Sequence, residues 1–169
     1  DSSNKAMFID LPGSNSLFAK SADEKVTQKV LLDNDYEDHP DTIVFVADAS
    51  NLRKSLFFLS QIIDLNKRVI LALNMIDISR DMGIVIDKNQ IQKELGIRVV
   101  EINARKRLGI EELKSSILSA EHSHFQILDV DKIFPDIIYQ ANKIRKSQNS
   151  YESFLCVCKQ YVDSNSANR

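Results

Sequence analysis

Residues 68–77 read Arg-Val-Ile-Leu-Ala-Leu-Asn-Met-Ile-Asp, and their pattern decides the fold. Arg68 to Leu73 is a short apolar run with no polar alternation, which predicts a strand buried on both faces rather than a helix. It runs directly into an Asn-x-x-Asp group. Working outward, three further runs have the same character: Thr42 to Ala47 (TIVFVA), ending at Asp48; Ile97 to Ile102, followed by Asn103-Ala104-Arg105-Lys106; and Ala6 to Ile9, bounded by the turn Asp10-Leu11-Pro12-Gly13. Helical patterns separate them. Strand and helix alternating along a chain predict an α/β fold with a parallel sheet and right-handed crossovers.

The helices are marked by their caps. Ser21 and Glu24 form an S-x-x-E capping box, so a helix is expected from Ala22, with Val26, Val30 and Leu31 on one face. Leu52, Leu56, Leu59, Ile62 and Ile63 recur at helical spacing between Asn51 and Asn66. A short helical piece is expected up to Met82. Asp87 with Gln90 suggests a second capping box before a helix that carries Ile91 and Leu95 and stops at Gly96. Another helix, from Ile110 to about Ala120, carries Leu113, Ile117 and Leu118. Beyond Glu121 no strand is predicted. Pro135 stands as a first-turn residue, Ile137, Ile138, Ala141 and Ile144 follow at helical spacing, and Tyr151 to Tyr161 is a further helix. The expected organisation is an α/β part at 1–121 and a small helical appendage at 122–169, with a fraying polar tail from Asp163.

Composition limits the partners. The 169 residues are 43% hydrophobic, enough for a core, and carry a net charge of −2 with the two signs interspersed. No basic footprint for a nucleic acid is present. The longest apolar runs fall far short of the roughly 20 residues of a membrane span, and no signal peptide is recognisable. Cys156 and Cys158 lie one residue apart on a predicted helix, where their side chains diverge, so neither a mutual disulfide nor a zinc site is expected. A reducing cytosol suits such a chain. His39, His122 and His124 lie in polar segments, and Glu121-His122 with His124 reads as a solvated linker.

Open α/β sheets bind ligands outside the carboxyl ends of their strands. At one such end, Asp10 followed by Gly13 suits a phosphate and its metal ion, because a glycine N–H can approach a ligand closely; D-x-P-G is also an ordinary turn. At a second, the Asp77 carboxylate can accept the two parallel N–H bonds of a guanine's Watson–Crick edge, while Asn74 ties neighbouring loops together. Adenine lacks that donor pair, and a site built for two bonds rejects it. N-x-x-D is equally a helix cap. At a third, Ala104 can offer its backbone N–H to the guanine carbonyl.

Taken in order, these groups make the chain resemble the GTPase domain of ferrous iron transport protein B, a bacterial iron(II) transporter. The resemblance rests on DLPG at 10–13, SLFAKSADEKV at 16–26, VADASNLRKSL at 46–56, LALNMID at 71–77, GIVID at 83–87 and NARKRLGIEEL at 103–113, and covers about residues 6 to 120. It implies GTP or GDP as ligand, with Asp10, Leu11, Pro12 and Gly13 on the switch and magnesium side, Asp10 reaching Mg through water. Asn74, Met75, Asp77, Asn103, Ala104 and Arg105 would bind the guanine. Asn103 replaces the usual serine or threonine, and Ser14 stands where many GTPases orient water with glutamine, so hydrolysis is expected to be slow. The tail corresponds in position to the family's GDP-dissociation-inhibitor subdomain. The membrane-spanning part of the transporter is the implied partner, and the cytoplasmic side of the bacterial inner membrane the implied location.

One motif is missing. The four glycines, Gly13, Gly83, Gly96 and Gly109, cannot build G-x-x-x-x-G-K-[ST], the phosphate-cradling P-loop. The expectation is therefore a P-loop-type GTPase domain truncated at its amino end, lacking its first strands and first switch, which binds nucleotide weakly or not at all. A missing central strand would leave strand edges that close up or pair with another chain, giving a homodimer. The alternative is a degenerate GTPase-fold interaction module that uses no nucleotide.

Overall fold

The computed structural model describes residues 6–37, 39–123, 125–144 and 149–166. His124 lies outside the described residues, as do 167–169 of the expected polar tail. The chain forms two compact units, Asp1–Pro40 and Asp41–Arg169.

In the first unit, α1 spans Ala22–Leu32 and begins as the sequence dictates. The Ser21 side chain accepts the Glu24 N–H while the Glu24 carboxylate accepts the N–H groups of Lys20 and Ser21 at 2.8 and 3.3 Å. These bonds, that from Lys20 first, hold the Glu24 carboxyl below its ordinary value. The buried face of α1 is Thr27, Val30 and Leu31, and Val26 is exposed. Thr27 takes the inner place because its hydroxyl donates to the Pro12 carbonyl at 2.8 Å, which satisfies a polar group that burial would otherwise penalise. The strand predicted at Ala6 to Ile9 is not formed. Those residues are exposed and, among the described residues, pair with no other segment. An apolar run becomes a strand only where a neighbour completes its ladder.

The second unit is built on three parallel strands, β1 (Thr42–Asp48), β2 (Arg68–Asn74) and β3 (Arg98–Glu101), in the order β1-β2-β3. The register sets Asp48 beside Asn74 and Leu73 beside Glu101, so the polar groups after each run emerge at one edge of the sheet. β2 is the central strand, and Val69 to Leu73 are all buried. β1 is only half-buried, with Val46 59% exposed, where the apolar run had predicted burial on both faces. The reason is its place at the sheet edge, with β2 its one partner among the described residues.

On one face, Ile70, Ala72, Val100 and Ile102 pack with Val44, Leu113, Ile117 and Ala120. Leu113 and Ile117 come from α5 (Ile110–Leu118), whose Leu118 points outward while Ser116 is buried. A 3-10 turn, Ala49–Asn51, leads into α2 (Leu52–Asp64), which starts one residue later than expected. Phe58 of α2 meets Phe45 of β1 edge-on at 5.7 Å. The last two turns of α2 bury Leu59, Ile62 and Ile63 almost completely, and truncating any one to alanine would cost about 2–5 kcal/mol. α3 (Ile76–Asp81) and α4 (Lys88–Leu95) follow β2. Asp87 caps α4 by accepting the Gln90 N–H at 2.9 Å, but the Gln90 side chain turns to Glu94, so only half of the expected capping box exists. Gly96 closes α4 in the left-handed conformation, φ +62°, with the Phe125 ring packed where a Cβ would lie.

The tail forms α6 (Val130–Ile133), α7 (Pro135–Ile144) and α8 (Ser150–Ser166), and the backbone of α8 continues through the region expected to fray. Ile138, Ala141, Tyr151 and Leu155 are buried among these helices. Burial pushes the Tyr151 phenol and the Cys158 thiol up from their ordinary values. The lead-in to the tail is anchored on the end of α2, where the buried Asp64 carboxylate accepts the N–H groups of Ile127 and Leu128 at 2.6 and 3.1 Å. His122 is structural: it bridges to Arg68, and its Nδ1 lies 3.0 Å from the Asn66 carbonyl. No helix among the described residues is long and apolar enough to cross a membrane.

Candidate functional site

The carboxyl ends of β2 and β3 bring together residues that are 30 apart in sequence. Asn74 is the last residue of β2, and Met75 takes a left-handed conformation, φ 61°, which turns the chain sharply into α3. That turn places Asp77 in the first turn of α3, where its Oδ1 accepts the Ile78 N–H at 3.1 Å. On the neighbouring strand end, residues 103–108 form a tight loop. Asn103 pairs with Leu108 through both backbone groups, at 3.0 and 3.1 Å, and its Oδ1 accepts the Lys106 N–H at 3.0 Å. Gly109 lets the loop close against β3: its φ is +74°, and a Cβ would collide with the Glu101 carbonyl oxygen.

Two side-chain contacts join the loop to β2 and α3. Asn74 Oδ1 accepts the Ala104 N–H at 3.1 Å, the loop-tying role expected of Asn74. The same bond directs the Ala104 N–H at Asn74, where the sequence suggested a guanine carbonyl. Lys106 Nζ lies 2.9 Å from Asp77 Oδ2. The Lys106 ammonium, together with the side chain of Asn103, holds the Asp77 carboxyl below its ordinary value. Asp77 is therefore an anionic two-oxygen acceptor at neutral pH. The Asn103 side chain sits within the loop, and Ala104 and Arg105 are exposed at its tip. Lys106 was not among the residues singled out by sequence; its signal was the position three residues beyond Asn103, where a tight loop returns the side chain towards the previous strand.

Asp10 to Gly13 belong to the first unit, as an irregular segment with Asp10 and Gly13 exposed and Leu11 and Pro12 partly buried. An exposed, oxygen-donating carboxylate of this kind fits a hydrated hard cation. The Ser14 hydroxyl is buried without a hydrogen-bond partner among the described residues. Asp48, the aspartate at the end of β1, accepts the N–H and hydroxyl of Ser50 at 2.8 and 2.7 Å and serves as a helix cap.

Residues 1–117 match the family profile described as ferrous iron transport protein B. No match was found among curated proteins. Solved structures are similar too. The FeoB G-domain of Methanococcus jannaschii is 37% identical at a TM-score of 0.61, over 66% of this chain and 69% of that one. The cytosolic domain of Legionella pneumophila FeoB is 34% identical at a TM-score of 0.73, over 86% of this chain and 58% of that one. The apo cytosolic domain of the T. maritima FeoB iron transporter is 34% identical at a TM-score of 0.72, over 85% and 57%. The chain thus spans less than three fifths of the last two. With a family match over 117 of its 169 residues and a relative of 37% identity covered over two thirds, the chain belongs to the ferrous iron transport protein B family.

Proposed function

We propose that this chain is the guanine-nucleotide-binding regulatory part of a ferrous iron transporter on the cytoplasmic side of a bacterial inner membrane. The observation that carries this reading is the joining of two strand ends at the Asn74–Ala104 hydrogen bond, with the ionised Asp77 carboxylate facing the same loop. Asp77 accepts the two N–H donors of guanine, Asn74 fixes the loop, Asn103 shapes it, and Met75, Ala104 and Arg105 border the base. Asp10 to Gly13 attend the phosphates, with Asp10 holding magnesium through water. Similar T. maritima structures carry GMPPNP and GDP, which supports a guanine nucleotide as ligand here. In the whole transporter the nucleotide would be GTP, hydrolysed slowly because Ser14 offers a short hydroxyl where a water-orienting amide is customary. The helical tail, 122–169, acts as a subdomain that restrains GDP release, and the membrane-spanning part is the partner.

These 169 residues hold no P-loop, so most phosphate contacts are not supplied by them, and nucleotide binding is weak. The exposed edge of β1 offers pairing to a second copy of the chain. Calorimetry and ligand-observed NMR with GDP and ADP test the reading. GDP binding in the high micromolar range or weaker, with ADP weaker still, is expected. Equal binding of GDP and ADP would favour an interaction module without nucleotide function, and tight GDP binding would show that the phosphates are held without a P-loop.

A further inference from the structure

Guanine's Watson–Crick edge carries two donors, N1–H and N2–H, and one acceptor, O6. The reading of Asp77 as the partner of the donors leaves O6 in need of one. The Ala104 N–H is the nearest backbone donor in the loop, but it is directed at Asn74 Oδ1, 3.1 Å away. The Lys106 ammonium is differently placed. It has three N–H groups and spends one on Asp77 Oδ2 at 2.9 Å. Its backbone is fixed, because its N–H donates to Asn103 Oδ1 and Asn103 is buried and paired with Leu108 in both directions. O6 is bonded to the carbon next to N1, so a cation resting on the carboxylate that accepts N1–H lies beside O6. The carboxylate can serve all of these groups. Its two oxygens have about four lone-pair sites, against one bond from Ile78 N–H, one from Lys106 and two from guanine.

We propose that Lys106 is a specificity-determining residue that donates to O6 of the guanine base while it holds the Asp77 carboxylate. This inference rests on the guanine-binding reading given above. Adenine has an amino group at the corresponding position, which the ammonium repels, so Lys106 adds a penalty against adenine to the reward for guanine. The Lys106 and Asp77 side chains are 59% and 38% exposed, so the effect is modest, about two- to five-fold.

The test uses 6-thio-GDP, in which a weakly accepting sulfur replaces O6 while N1–H and N2–H remain, at mildly acidic pH where N1 stays protonated. Ligand-observed NMR at millimolar nucleotide gives relative affinities for GDP, 6-thio-GDP and ADP. The unsubstituted chain is expected to prefer GDP to 6-thio-GDP by about two- to five-fold, Lys106→Met to lose that preference, and Lys106→Arg to retain it. A Lys106→Met chain that keeps the full GDP to 6-thio-GDP ratio would overturn the role of Lys106 and leave the guanine site standing. Loss of guanine preference in Asp77→Asn, together with GDP preferred to ADP by the unsubstituted chain, supports the underlying reading. Equal GDP and ADP binding by the unsubstituted chain, or none at millimolar concentration, overturns both.

Discussion

Asn74 Oδ1 accepts the backbone N–H of Ala104 at 3.1 Å, so one amide side chain holds the loop after β3 against the end of β2. Because the bond is exposed, water replaces it when it is lost, and Asn74→Ala is expected to cost only about 0.5–1.5 kcal/mol in urea unfolding. The effect on guanine nucleotide should be larger than that on stability, since the loop would no longer be held in its binding shape. Paired unfolding and nucleotide titrations check this difference.

Asp77 presents two acceptors, and an amide at the same place presents one acceptor and one donor. Asp77→Asn is therefore expected to weaken GDP by roughly ten-fold or more and to favour xanthosine diphosphate, in which a carbonyl replaces the 2-amino group. Competition between GDP and XDP, read by NMR, decides it; unchanged preference for GDP would remove Asp77 from the site.

Gly109 has φ +74°, and its neighbour across the loop is the Glu101 carbonyl. Any side chain there meets both a disfavoured backbone conformation and a backbone atom. Gly109→Ala should lose about 2 kcal/mol or more in denaturant unfolding. Gly83, also at positive φ but with open space around it, is the control, and Gly83→Ala should cost less.

Burial raises the Asp64 carboxyl above its ordinary value, more than the bonds from Ile127 and Leu128 lower it. With the folded pKa above the unfolded one, the ionised form carries a penalty at neutral pH. That penalty is relieved as pH falls through the folded pKa towards the ordinary value of 3.8. Asp64→Asn replaces an acceptor oxygen with a donor facing a backbone N–H, at a cost of about 1–3 kcal/mol. The stability gap between the two proteins should widen from pH 7 towards pH 4, as measured by urea unfolding at several pH values.

Val46, on the edge strand β1, is 59% exposed. If copies of the chain pair along this edge, a charge there should oppose it, since lysine is a common guard of natural edges. Sedimentation velocity is expected to show concentration-dependent self-association that Val46→Lys reduces; a monomer at all concentrations would exclude the pairing.

The parallel strands β1, β2 and β3 were legible because a buried parallel strand is apolar without alternation, and the caps at Ser21, Asp87 and Gly96 because capping is local chemistry. The Asn74–Ala104 joining was legible because both residues follow predicted strands of one parallel sheet. What failed depended on distant partners. Ala6 to Ile9 has a strand's composition but no neighbour among the described residues. Leu118 keeps helical spacing yet lies outside the stripe that packs on β2 and β3. Thr27 outranks Val26 through a carbonyl 15 residues away. Asp64 gave no local signal either, since acidic residues are disfavoured at a helix carboxyl end and its partners are 63 and 64 residues downstream.

The lead-in to the tail crosses the sheet on the edge away from Asn74 and Ala104: Phe125 at Gly96, His122 at Asn66 and Arg68, Ile127 and Leu128 at Asp64. The Asp64 carbonyl also accepts the Asn149 amide at 3.0 Å. Opening this strap would strip partners from several groups of α2 and the sheet in one event. Amide exchange at 122–128 should consequently proceed with the slow, shared kinetics of β2 rather than the fast kinetics of a surface linker, making tail and sheet one cooperative folding unit.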